Sequence, residues 1–145
     1  LHPNAITPTY ATDGSACFDL YAATVSECSE IGAVVYAGYP VVVDTGLAFE
    51  VPPGWMLKIH PRSGLKFKYG VEAFAGVIDS DFRGSVQILL ESADDNDDTP
   101  PLRINQGDRV AQASMIPSPR VTFHVVEQLS ITERGAGGFG STGEA

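Results

Sequence analysis

At 145 residues and 15.4 kDa the chain can bury one core, and 43% hydrophobic against 19% charged residues excludes a wholly disordered molecule. Its 18 acids against 9 bases leave a net charge of −9, which sets aside a generic nucleic-acid binder, because phosphate backbones need a positive field. No run of about 18 apolar residues and no basic, then apolar, leader is present, so an intracellular protein, cytoplasmic or nuclear and without a membrane, is expected.

The charge is unevenly placed. Glu91, Asp94, Asp95, Asp97 and Asp98 fall within eight positions, leaving 13 acids against 9 bases elsewhere, so small anionic ligands stay open. Cys17 and Cys28 are too few for a disulfide scaffold and lack CxxC spacing, and His2, His60 and His124 are too dispersed for a zinc site.

In chain order, residues 15–20 form an apolar segment with one acid, Asp19, readable as a buried, paired carboxylate or as a plain strand end. Strand-like runs follow at 41–43, 47–51, 55–60, 71–75, 85–91, 109–116 and 121–129, separated by turn signals such as Pro52-Pro53-Gly54 and Gln106-Gly107-Asp108. Residues 121–125 alternate apolar and polar, the period of a half-buried strand. One helical turn is expected after Arg62, with Ser63 as its cap. Many short strands and at most one short helix make an all-β sandwich or barrel. Ser92 to Pro101 reads as an acidic hairpin tip.

Several segments carry candidate chemistry, each with a plainer alternative. Residues 134–143 hold Arg134, Phe139 and five glycines, suited to cradling phosphates and stacking on a base, or simply a disordered Gly/Ser tail. Arg62, Ser63 and Gly64 form a small anion site or a capped surface turn. Asp79 and Asp81, between Gly76 and Gly84, could activate a water for attack on phosphorus or merely bound a β-turn. Gln112 is an interior polar group needing a partner, or an outward-facing residue.

Jointly and in this order, the segments from Tyr10-Ala11-Thr12 to Gly143 resemble the trimeric dUTPase family, the dUTP nucleotidohydrolases. That resemblance implies a jelly-roll β fold over residues 1–133, a tail at 134–145 acting as an active-site lid, and a homotrimer with sites at subunit boundaries. It implies Mg2+-dependent hydrolysis of dUTP to dUMP and pyrophosphate by water attack at the α-phosphorus, which lowers dUTP and supplies dUMP for dTTP synthesis. Asp79 matches the acid that positions the attacking water and meets the 3′-OH. Phe82 stands where the family usually has Tyr, its ring packing on deoxyribose. The stretch from Val71 through Ala75, Gly76, Val77 and Ile78 matches the hairpin whose backbone reads uracil. Arg62, Ser63, Gly64 and Gln112 match phosphate contacts, Arg134 the contact to the terminal phosphate and Phe139 the aromatic over uracil, with Gly140 and Ser141 completing the phosphate cradle. No direct protein ligand to Mg2+ is implied; phosphates and water hold it, with Asp19 near its waters. Cys17 and Phe74 depart from the pattern, Phe74 either pointing into the core or narrowing the uracil pocket. The competing expectations are a dCTP deaminase, which shares the fold and would release ammonia, and a non-enzymatic jelly-roll module.

Overall fold

The computed structural model describes residues 2–25, 33–92 and 99–138. Ten strands and one helix run in the order β1 Phe18–Tyr21, β2 Thr24–Val25, β3 Ala33–Val35, β4 Val41–Asp44, β5 Trp55–His60, α1 Ser63–Tyr69, β6 Val71–Phe74, β7 Val77–Ile78, β8 Gln87–Ser92, β9 Leu102–Ile104 and β10 Arg109–Pro117. They form a first sheet ordered β1-β10-β5-β7, a second ordered β2-β4-β8-β6, and a β3-β9 ribbon. Every ladder between the described strands is antiparallel. The fold is all-β and jelly-roll-like, with one short helix.

Alternation of side chains along each strand builds the core between the sheets. Leu20, Leu57 and Ala113 come from the first sheet, Val43, Ile88 and Leu90 from the second, and Val35 and Ile104 from the ribbon. Each such fully buried branched side chain contributes about 1.5–3 kcal/mol relative to exposure. The buried Thr45 is satisfied, its Oγ1 donating to the Val86 carbonyl at 2.7 Å. Among the described residues no helix is long and apolar enough to cross a membrane.

Five sequence expectations change. Residues 47–51 join no ladder; Leu47 and Val51 are buried, and Leu47 is held by the Val86 N–H bond to its carbonyl (2.8 Å) and by its own N–H donating to Thr45 Oγ1 (3.3 Å), ahead of Pro52-Pro53. Residues 121–129 are not a strand in this protomer: the prolines at 117 and 119 remove ladder donors as the chain leaves β10, and Phe123 and Val125 stand 88% and 102% exposed. Ser63 does not cap α1; it is the first helical residue, and Arg62 occupies the cap with extended backbone and no side-chain bond. The helix has seven residues rather than one turn. Residues 71–78 are not one hairpin, because β6 pairs with β8 in the second sheet while β7 pairs with β5 in the first. The chain crosses between sheets at Ala75-Gly76, where Gly76 takes a left-handed φ of 65° and its carbonyl accepts from Ile59 at 3.1 Å. Of the acidic segment, residues 93–98 lie outside the described residues, as does Cys28.

Candidate active site

Strand register assembles a first cluster. Asp19 lies opposite Gln112 across β1–β10, and Gln112 opposite His60 across β10–β5, which puts the three in one row. Their neighbours Leu20, Ala111, Ala113 and Ile59 point into the core, so the row occupies the sheet's outer face. The Asp19 side chain is only 13% exposed, and both its oxygens are paired: Oδ1 lies 3.4 Å from Arg62 Nε, and Oδ2 3.2 Å from Arg109 Nη1. Asp19 is therefore the paired carboxylate of its two readings. Arg62 Nη1 also donates to the Arg109 carbonyl at 3.0 Å, and Gln112 Nε2 donates to the Pro61 carbonyl at 2.9 Å. Gln112 thus has a partner, and the Pro61-Arg62 approach to α1 is held from two sides. His60 Nε2 and Ser114 Oγ share a 2.9 Å hydrogen bond that ties β5 to β10 again.

Beside this row lies a cavity of about 300 Å³ whose walls include Arg62, Leu65, Tyr69, Arg103, Asp108 and Arg109. Three guanidinium groups around one hollow suit a polyanion. Ser63 and Gly64 open α1 just beyond Arg62 and are exposed.

A second cluster surrounds Asp79. It follows β7 and starts a turn in which the Phe82 N–H donates to the Asp79 carbonyl at 3.2 Å. Arg83 braces that turn, its Nη1 donating to the carbonyls of Ser80 (2.7 Å) and Phe82 (2.9 Å). The Phe82 ring is 42% exposed and lies over Gly84, where an added Cβ would fall 2.5 Å from the ring's Cζ. Gly84 therefore makes room for the chain's own aromatic ring. Asp79, Ser80 and Asp81 share a cavity of about 310 Å³ with Gly54, Trp55, Met56, Ser118 and Arg120. Trp55, Ser118 and Arg120 carry no motif signal; the β5–β10 register delivers them, since Trp55 pairs with Pro117.

Among the remaining candidates, Val71 is a core residue with no surface to offer a ligand. Ala75 is half-buried at the crossover, Gly76 and Val77 are exposed, and Ile78 packs against the core. Phe74 is exposed rather than in the core. Arg134 is exposed and bonds within its own turn, Nε donating to the Gly137 carbonyl at 3.0 Å. Phe139, Gly140 and Ser141 lie outside the described residues.

The two clusters sit at opposite ends of β5. Ile78 pairs with Leu57, so Asp79 lies alongside Met56, whereas Arg62 comes six residues further along an extended chain, about 20 Å away at strand rise. Among the described residues no group of three or more His, Cys, Asp or Glu side chains is disposed to hold a metal. Asp19 keeps carboxylate lone pairs beyond its two arginine contacts, a donor chemistry suited to accepting from the waters of a cation.

The dUTPase family profile matches residues 3–143. A deoxyuridine 5'-triphosphate nucleotidohydrolase of Brucella melitensis biotype 2 is 46% identical over 140 residues, covering 95% of this chain and 85% of that protein. Its counterpart in Nautilia profundicola is 40% identical over 146 residues, with 99% and 95% covered. Among solved structures, the dUTPase of Staphylococcus bacteriophage 80alpha with dUPNHPP superposes with a TM-score of 0.83 at 25% identity, covering 98% of this chain and 94% of that one.

Proposed function

Because the chain belongs to the dUTPase family, we propose that it hydrolyses dUTP to dUMP and pyrophosphate. The observation that carries this reading is the coexistence of two half-sites: a guanidinium-lined hollow suited to a polyphosphate, and a braced turn presenting a carboxylate beside an aromatic ring.

In the reaction, the Asp79 carboxylate orients a water and accepts its proton as the oxygen attacks the α-phosphorus. The new O–Pα bond forms in line as the bond to the bridging oxygen breaks, and pyrophosphate leaves. Arg62, Ser63, Gly64 and Gln112 hold the phosphates, with Arg62 and Arg134 facing charge that grows on the leaving group. Phe82 packs on the deoxyribose and leaves no room for a 2′-OH. Mg2+ held by the phosphates and water would neutralise part of their charge and polarise the phosphate oxygens, with Asp19 the nearest protein carboxylate to its waters. Residues 134–145 close over the substrate and exclude water, Phe139 covering uracil and Gly140 and Ser141 extending the phosphate cradle.

Two observations support a homotrimer with sites at subunit boundaries. Asp79 and Arg62 lie about 20 Å apart along β5, which supports a site in which one copy's Asp79 serves another copy's phosphate cluster. Residues 121–131 also expose Val121, Phe123, Val125, Leu129 and Ile131, which nothing among the described residues of their own protomer covers and a neighbouring copy would.

Incubation with dUTP and Mg2+ tests the reading. It should yield dUMP and pyrophosphate, with EDTA stopping the reaction and dTTP, dCTP and UTP left nearly intact. Asp79→Asn should lower turnover at least about 100-fold, the scale of a positioned base. Ammonia release from dCTP, or a fully active Asp79→Asn protein, would overturn it.

A further inference from the structure

We propose that Arg109 is a positioning residue, acting through Asp19 to hold Arg62 in the orientation that receives phosphate; this rests on the dUTP hydrolase reading above. Arg109 opens the strand-like run at 109–116 with no role of its own among the sequence signals, and its distance from Arg62 in sequence hides their contact. In the fold, Asp19 is the hinge of a three-residue clamp, with one oxygen on each arginine. Arg109 contributes twice: its side chain holds the second Asp19 oxygen, and its backbone carbonyl accepts from Arg62 Nη1 at 3.0 Å.

The burial gradient orders the roles. Asp19 is nearly covered, Arg62 is 23% exposed and Arg109 49% exposed. An exposed ion pair contributes little by itself, but this one shares its acid with a second arginine. Without Arg109, the carboxylate would be free to rotate about its Cβ–Cγ bond and take both oxygens to Arg62. A bidentate Asp19–Arg62 pair would turn Nη1 from the Arg109 carbonyl and direct the guanidinium's donors at the protein instead of the cavity. Arg109 thus acts by competing for Asp19.

A lysine at position 109 would keep a cation for Asp19 and leave the backbone carbonyl in place. Steady-state kinetics with dUTP on the full chain then separate positioning from scaffolding. Arg109→Gln should raise KM about tenfold with kcat within about threefold, because it loosens a contact made to the phosphates before and during the reaction. Arg109→Lys should recover most of the loss. In an Asp19→Asn background, Arg109→Gln should add less than about twofold, since both substitutions act on the same arginine. Circular dichroism and the unfolding midpoint of each variant identify any that fail to fold, and the Arg109→Lys comparison then carries the test. Unchanged KM in Arg109→Gln, or effects that multiply fully across the Asp19→Asn background, would overturn the clamp while leaving the hydrolase reading intact. A parent protein inert toward dUTP would overturn the hydrolase reading and the clamp with it.

Discussion

Mixing two inactive variants should restore activity if Asp79 and Arg62 serve one substrate from different copies. Asp79→Asn removes the base and leaves the arginine cluster; Arg62→Gln does the reverse, some 20 Å along β5 at about 3.3 Å per residue. Within one protomer no conformational adjustment of a six-residue strand closes that gap, because β5 is locked by ladders to both β10 and β7. In randomly mixed assemblies, half the donors of the base and half the donors of the arginine are intact, so about one site in four has both. Equal amounts of the two variants, co-refolded from denaturant, should therefore reach about a quarter of the activity of parent protein refolded the same way. Simple mixing of preassembled variants should give less, rising as subunits exchange. Activity no greater than the sum of the two variants' residual rates would refute sites shared between copies, and with them the reasoning from β5.

Three further outcomes follow from local geometry. Burial raises the Asp44 pKa, but hydrogen bonds from Ser85 and the Gly46 N–H, with help from Gln87 and the His2 charge, outweigh it and hold the carboxyl below its ordinary 3.8. The stability this contributes is present above pH 3.8 and lost as pH falls through the lower folded value, so Asp44→Asn should cost about 1 kcal/mol in urea unfolding at pH 7 and less near pH 3; an equal cost at both would refute it. Gly46→Ala should destabilise by about 1–3 kcal/mol, because φ is 66° and the new Cβ would meet His2 Cβ at 2.6 Å and Ala23 Cβ at 3.0 Å; an unchanged thermal midpoint would contradict that. Phe82→Ala should erode the dUTP-over-UTP ratio of kcat/KM about tenfold, and an unchanged ratio would remove the ring from sugar discrimination.

Local pattern was enough for β5 and the body of β10, where alternating residues face a core on one side and the polar row on the other. It failed where strands are two or three residues long: β2, β3, β7 and β9 have too few positions to show a period. The stretch at 121–129 fails differently. Its alternation is real, but a strand needs a partner edge, and the described residues of this protomer offer it none. At the site, Asp79, Phe82, Arg62 and Gln112 were legible as residue types in motif order. The Arg109–Asp19–Arg62 clamp was not, because it depends on a register that pairs residues some ninety positions apart. The role of Gly84 was hidden for the opposite reason: its partner is Phe82, two residues away, and only the ring's placement shows why a side chain is excluded.

The short helix α1 has one more consequence. Its ends are fixed, by the Arg62 network on one side and the left-handed Gly70, with the Lys66–Glu72 pair, on the other. Only Leu65 and Tyr69 pack onto the core, and Phe67 is 90% exposed. The outward face of this protomer's helix therefore tolerates replacement without disturbing the residues at its start. A cysteine at position 67 carrying an environment-sensitive dye would place a reporter one helical turn from Ser63, where it could record nucleotide arrival in real time.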